Sequence, residues 1–297
     1  SDILMVGVVV YSLVTLAFPA KAEEKAITAM SWNIEWFPGT RPDPSRREAF
    51  QQTKAARKLL EEVVPDILFA QELTDEKAFA KLVKAVPFMD VHVYSKFVDS
   101  RSGELARQQC GIASTLEADS AWFEAFKPVE GMPNLRRGFA FAALKHPQGG
   151  LLMCYSVHLK SNGGSDTPEG EKDIAVTRAE SVRQLLAHKA EMEKRFADKP
   201  ILGWIIGGDM NTNHDGQFPL CTVIEDLVKG GFHNTWSETP KEKRLTWRNH
   251  PDDTRFKPTT FDYFMTIGVK PVQATMMPEV PVEVSDHAPV LLEIVKP

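Results

Sequence analysis

Six short strings in this chain carry side chains able to handle a proton, a cation or an anion. Val284-Ser285-Asp286-His287-Ala288-Pro289-Val290 sets an acid beside a histidine. An aspartate can hold a hard cation, and a histidine can move a proton near neutral pH. That one loop could therefore supply both halves of a metal-assisted hydrolysis. In Ser31-Trp32-Asn33-Ile34-Glu35, an extended backbone would turn Asn33 and Glu35 to the same side. In Asp66-Ile67-Leu68-Phe69-Ala70-Gln71-Glu72, an apolar run ends on a carboxylate. Such a carboxylate is costly to bury without a partner or a cation, so Glu72 is a candidate metal ligand; a position near a helix start is the structural alternative.

The remaining strings add anion-facing and proton-moving groups. His158 and Lys160, two residues apart, would suit an anion: His158 donating a hydrogen bond, Lys160 adding charge. Gly207-Gly208-Asp209-Met210-Asn211 places Asp209 and Asn211 on one side of a turn that the glycines permit. This pair could orient a water and stabilise an oxyanion, although an Asx-rich turn explains the string in isolation. Asp262 is a charge inside the β-prone run Thr260-Phe261-Asp262-Tyr263-Phe264, and its most useful partner would be a histidine. One geometric demand follows. In a regular strand Asp286 and His287 would face opposite ways, so they must lie in a loop that turns both inward.

The elements that position these residues can be read from periodicity and stop signals. Strands are expected over Ala26–Trp32, Asp66–Ala70, Val91–Phe97, Gly111–Leu116, Gly138–Leu144, Leu151–His158, Ile201–Ile206, Thr259–Ile267 and Ala288–Val295. Helices are expected over Arg46–Val64, stopped by Pro65, and over Asp75–Val86, Glu169–Ala197 and Phe218–Lys229. Each chemical string falls at or near a strand end, where layered α/β folds build their sites. The alternation implies an α/β or α+β layered domain.

Bulk properties narrow the rest. The chain has 297 residues, 43% of them hydrophobic, enough for a sizeable core. Its formal net charge is -5 and it has no basic tail, so tight binding of a polyanion would need a local patch or a cation. Cys110, Cys154 and Cys221 show no metal spacing; export would permit one disulfide, but no pair can be named. The apolar run Ile3–Phe18, followed by Ala20-Lys21-Ala22, has the layout of a secretory signal. As a helix it would span about 24 Å, short of a ~30 Å bilayer core. We therefore expect residues 1–22 to be a signal-peptide-like segment and 23–297 one domain, exported to the periplasm or outside the cell. The mature chain is expected to be monomeric and not inserted in a membrane.

Taken in order from Ala26 to Val295, the strings resemble the endonuclease/exonuclease/phosphatase superfamily, most specifically at Gly-Asp-x-Asn (208–211) and Ser-Asp-His-x-Pro (285–289). The resemblance implies a four-layer α/β sandwich: two packed mixed β-sheets flanked by helices. It also implies Mg²⁺ or Mn²⁺ and hydrolysis of a phosphate ester. Asn33, Glu35, Glu72 and Asp286 would lie at the metal, Glu72 foremost. Asp209 and Asn211 would orient the nucleophile or stabilise the transition state; His287 would be the catalytic histidine, oriented by Asp262; His158 would be the second histidine of the deoxyribonuclease and sphingomyelinase branches. A nuclease or phosphodiesterase acting on DNA or related phosphodiesters is the leading expectation. A sphingomyelinase-like lipid phosphodiesterase is the alternative within this chemistry, and a binding protein with a degenerate site is the alternative outside it. The 5-phosphatase branch fits less well, because its Pro-Ala-Trp-x-Asp-Arg string is absent.

Overall fold

A computed structural model describes residues 26–99, 102–249, 257–277 and 279–295. The signal-like segment lies outside the described residues. Among the described residues, twelve strands form two six-stranded sheets, and four α-helices accompany them. The first sheet has the order β11-β12-β1-β2-β4-β3, formed by Lys270–Met276, Val290–Val295, Ile27–Phe37, Ile67–Leu73, Gln109–Ser114 and Asp90–Tyr94. The second has the order β5-β6-β7-β8-β10-β9, formed by Ala118–Ala125, Gly138–Lys145, Leu151–His158, Ile201–Asp209, Asp262–Ile267 and His233–Asn234. Both are mixed: β1 runs parallel to β2 and antiparallel to β12, and β8 runs parallel to β7 and antiparallel to β10.

The helices form where the local signals are strong. Helix α1 (Arg46–Val63) opens on a capping box, with Ser45 accepting from the Glu48 N–H and the Glu48 carboxylate accepting from the Ser45 N–H. It ends at Val64 in the left-handed conformation, one residue before Pro65. Helix α3 (Pro168–Arg195) has Thr167 as its N-cap and Pro168 in its first turn. Helices α1 and α2 (Glu76–Val83) share a core with the outer face of the first sheet. Side chains of α3 and of α4 (Val223–Lys229) belong to the core that fills the space between the sheets and behind the second. The order is thus helix, sheet, sheet, helix, as expected.

The two sheets meet closely near the site. Phe69 of β2 packs edge-on against Phe264 of β10, with ring centroids 5.6 Å apart. Burying each such ring stabilises the fold by about 1.5–3 kcal/mol. Gly207 lies against both rings: a Cβ there would come within 2.8 Å of Phe69 and 2.9 Å of Phe264. A Cβ on Gly208 would meet the Val157 carbonyl oxygen at 2.1 Å. These glycines were expected to make a turn, but both lie inside β8, and what they permit is close approach.

Several other expectations are revised. Strand β1 continues past Trp32 to Phe37, and β4 and α4 begin at Gln109 and Val223. The expected extended run Val91–Phe97 is the five-residue β3. Strands β5 and β11 gave no clear period-2 signal. Strand β5 is an edge strand, half-buried along nearly its whole length, so its two faces differ little in polarity. The three cysteines are free and buried.

Candidate active site

The site is built where the ends of the central strands of both sheets converge. Across the second sheet, Asp209 is the Cα partner of His158 on one side and of Asp262 on the other. Three chemical residues therefore stand in one row: the last residue of β7, the last of β8 and the first of β10. In the first sheet Asn33 is paired with Gln71, one residue before Glu72. The sheets are stitched together here by the Gln71 amide, which donates to Ser156 Oγ at 3.0 Å.

Asp209 Oδ2 is the hub. Asn33 Nδ2 lies 3.1 Å from it, Asn211 Nδ2 3.1 Å, His158 Nε2 3.4 Å and His287 Nε2 3.8 Å. Burial, together with the Asp262 and Glu72 charges, outweighs the His287 charge and pushes the Asp209 carboxyl up to about 7. A carboxyl poised there can take a proton near neutrality.

The two histidines are tuned in opposite directions. His287 is buried, which alone would favour the neutral ring. The surrounding carboxylates of Asp262, Asp286 and Asp209 overcome this and hold it well above its ordinary value. Its Nδ1 lies 2.8 Å from Asp262 Oδ2, which fixes the ring and leaves Nε2 facing the hub. His158 is held well below its ordinary value by burial and by the charges of Arg137 and His287. One ring is thus cationic and the other neutral, on either side of one acid.

Asp286 and His287 do lie in a loop, ahead of β12. Ser285 shapes it by donating to the Asn33 carbonyl at 2.7 Å and accepting from the His287 N–H at 3.0 Å. The Asp286 carboxylate accepts from Trp247 Nε1 at 2.9 Å, and its N–H donates to Glu35 Oε2 at 3.1 Å. Glu35 and Asn33 do not project side by side from an extended strand as expected. Glu35 and Trp36 have positive φ (41° and 50°), and β1 bulges between Asn33 and Phe37. Glu72 (φ 58°) and Asn211 (φ 54°) also sit in the left-handed region. Such conformations are unfavourable for non-glycine residues and cluster at functional sites.

Glu72, Asp286 and Glu35 supply hard oxygen donors suited to Mg²⁺ or Mn²⁺. Burial and the Asp286 charge raise the Glu72 carboxyl. A largely buried carboxylate with a second acid nearby is a donor set that a divalent cation would satisfy, so the residues fit one. Asp209, Asp262 and His287 also bring one ligand atom each within 4.8 Å of one another. Asp262 Oδ2 is already engaged by His287 Nδ1, so that trio could handle a proton as well as a cation, and Glu72 with Asp286 could hold a cation. Asn33 Nδ2 faces Glu72 Oε1 (3.2 Å) and Asp209, and its Oδ1 accepts from the Glu35 N–H (3.0 Å), so the amide ties these acidic groups together. Asn211 likewise turns Nδ2 to Asp209 and to the Leu159 carbonyl, so it orients the acid.

Two positioning residues escaped the sequence reading. Gln52 of α1 donates Nε2 to the carbonyls of Ile34, Glu35 and Val284 and accepts from the Gly39 N–H, tying both acidic loops to one helix. Arg178 of α3 is fully buried and donates to the Lys160 carbonyl, Asn162 Oδ1 and Cys221 Sγ. Asn162 in turn donates to the Asn211 carbonyl. Neither position carries a local signal, because a polar residue in a helix normally faces solvent. His214, close in sequence to Asp209, bonds the Tyr263 hydroxyl (3.1 Å) and is structural.

No protein-family profile and no curated protein matches the chain. Solved structures do. An endonuclease/exonuclease/phosphatase family protein from Bacteroides thetaiotaomicron superposes with a TM-score of 0.67 at 17% identity, covering 93% of this chain and 96% of that one. Truncated Caenorhabditis elegans TDP2 gives 0.64 at 18% identity, over 91% and 97%. A mannosyl-6-phosphatase from Bacteroides thetaiotaomicron gives 0.62 at 16%, over 91% and 99%. Likeness at this level of identity speaks for architecture, and on it the chain has the endonuclease/exonuclease/phosphatase fold.

Proposed function

We propose that this chain is a divalent-cation-dependent hydrolase that cleaves a phosphodiester by in-line attack of water, with nucleic acid as the leading substrate. The observation that carries the reading is the buried group Asp262–His287–Asp209–His158: two histidines face one carboxylate oxygen, at 3.4 Å (His158) and 3.8 Å (His287), and Asp262 fixes the His287 ring at 2.8 Å. Asp209 would orient the attacking water and take its proton. His287, its ring fixed by Asp262, presents Nε2 to a phosphoryl oxygen and balances developing charge. His158, held neutral, offers one hydrogen bond to the same group. A cation held mainly by Glu72, with Asp286 and Glu35 nearby, would supply Lewis-acid polarisation of the phosphoryl oxygen and offset its charge.

The test is hydrolysis by the purified chain of plasmid DNA, RNA, sphingomyelin and bis(p-nitrophenyl) phosphate, each with Mg²⁺, Mn²⁺ or EDTA. Plasmid nicking that EDTA abolishes is the expected result. Phosphocholine release alone would replace nucleic acid with lipid as substrate. No cation-dependent hydrolysis of any ester would leave a binding protein on this fold. We further propose export, which the run Ile3–Phe18 and the Ala20-Lys21-Ala22 string support; N-terminal sequencing of the protein recovered outside the cytoplasm should then begin near Glu23. Among the described residues no helix is long and apolar enough to cross a membrane.

A further inference from the structure

Behind His158 the surface folds into a cavity of about 100 Å³ whose lining includes Arg136, Arg137 and Lys160 beside the apolar Phe126 and Leu135. No Asp or Glu lines it. In a chain with 40 acidic and 35 basic residues, three cations in one small cavity without an acid run against the average. The partners that hold these cations are neutral. Arg137 donates to the carbonyls of Leu159 (2.7 Å) and His158 (3.4 Å) and to Gln108 Oε1 (2.6 Å). Lys160 Nζ donates to the carbonyls of Ser161 (2.9 Å) and Gly163 (2.8 Å), which commits two of its three N–H groups. Arg136 is exposed, with no hydrogen bond or ion pair to a described residue. Burial and the charges of Arg137, Arg178 and Arg136 push the Lys160 ammonium down to about 8, so the cluster repels itself and an anion would relieve it.

Chemistry and position narrow what that anion is. The lining offers cations and hydrogen-bond donors and no acid, which suits an oxyanion such as a phosphate. It shares His158 with the catalytic centre, and Glu72 and Asp209 both feel the Arg137 charge. The shared His158 puts the cavity beside the centre, next to a phosphate held at His158 Nε2.

We propose that this cavity binds the phosphate next to the scissile one, so that the protein favours substrates with linked phosphates, as in a polynucleotide, over an isolated phosphodiester. The inference rests on the phosphodiesterase reading above. It also predicts recognition of backbone without sequence, because phosphate contacts position a strand and carry no base information.

The experiment compares kcat/KM in Mg²⁺ for the dinucleotide TpT, for its 5′-phosphorylated form pTpT and for its 3′-phosphorylated form TpTp. One phosphorylated form should be favoured roughly tenfold, mainly through KM, as expected for a charge-assisted contact. Lys160→Met and Arg136→Met should each bring that ratio towards one. Arg136 is exposed and its variant is expected to fold, so it also carries a second readout. On single-stranded oligonucleotide, Arg136→Met should reduce the slope of log(kcat/KM) against log[NaCl] by about 0.7. Equal rates for all three dinucleotides, or a preference and a salt slope that persist in the Lys160→Met/Arg136→Met double variant, overturn the inference while leaving the phosphodiesterase reading intact. Hydrolysis of none of them, nor of bis(p-nitrophenyl) phosphate, overturns both.

Discussion

Nδ1 of His287 and Oδ2 of Asp262 stand 2.8 Å apart in the interior, although one residue precedes β12 of the first sheet and the other opens β10 of the second. The contact closes the site across both sheets. It fixes the imidazole and contributes to its positive charge. Asp262→Asn keeps the shape and an oxygen that can accept from Nδ1, but removes the negative charge beside the ring. Turnover should fall roughly 10²–10³-fold with little change in KM, because what is lost is stabilisation of the transition state. Steady-state kinetics on plasmid or chromogenic diester checks this; a folded Asp262→Asn protein with half the wild-type kcat would remove Asp262 from the mechanism.

How the sequence announced this site depends on the residue. Glu72, Asp209, Asp262 and His287 were legible because each is a polar group at the edge of an apolar run, where burial demands a reason. The row His158–Asp209–Asp262 follows from strand pairing, which a single sequence does not give. The projection of Glu35 was misread because alternation holds only in extended backbone, and positive φ at Glu35 and Trp36 breaks it. Gly207-Gly208 was misread as a turn because a glycine signals conformational freedom and close packing alike. Gln52 and Arg178 were invisible because their partners are distant carbonyls and amides, and carbonyls carry no sequence signature.

The crowded acids make a paired prediction about cation and stability. Glu72 is half-buried, its side chain 14% exposed, near Asp286 with its carboxyl raised, so without a cation its charge opposes folding. Glu72→Gln should therefore be at least as stable as wild type in EDTA. A cation at a hundred times its Kd stabilises a folded protein by about 2.7 kcal/mol, equivalent to a rise of roughly 5–10 °C in Tm. Mn²⁺ should raise the Tm of wild type by that order and leave Glu72→Gln almost unmoved. Calorimetry decides it without reference to activity. Equal Mn²⁺ shifts in the two proteins would exclude Glu72 as the main ligand.

A second electrostatic pair lies away from the centre and sets an acid limit. Asp215 receives Arg244 through both oxygens, at 2.6 and 3.1 Å, and the two side chains are only 12% and 6% exposed. Burial pushes the Asp215 carboxyl up, but Arg244 outweighs it and holds the group below its ordinary value of 3.8. A carboxyl depressed by folding adds stability above its unfolded pKa and loses it as pH falls through the folded one. Asp215→Asn should destabilise the protein by about 1–3 kcal/mol at pH 7. The gap from wild type should hold down to about pH 4 and close below it. Urea midpoints at pH 7, 5 and 3 test this, and a gap as wide at pH 3 as at pH 7 would show that charge is not its source.

Gln52 gives the sharpest separation of positioning from chemistry, because it touches no reacting group. Its Nε2 serves the carbonyls of Ile34, Glu35 and Val284, and its Oε1 serves the Gly39 N–H. The first two carbonyls shape the bulge that carries Glu35, and the third precedes Ser285 and Asp286. Gln52→Glu keeps the acceptor and the volume, but it aims a carboxylate at three carbonyl oxygens. Gln52→Ala removes the clash together with every hydrogen bond. Leaving buried carbonyls unsatisfied costs about 1–3 kcal/mol each, so both variants should melt lower, and Gln52→Glu should be the worse of the two at neutral pH. Its deficit should shrink towards that of Gln52→Ala as acid protonates the new carboxyl. Because the displaced loops bear Glu35 and Asp286, Gln52→Ala should also weaken Mn²⁺ binding about 10–100-fold, the loss expected when a group supporting a ligand is removed. Titration of Mn²⁺ by calorimetry on folded protein measures that loss directly. An unchanged Mn²⁺ affinity in Gln52→Ala would mean that the loops hold their shape without the helix, and that the cation site is built by the sheet ends alone.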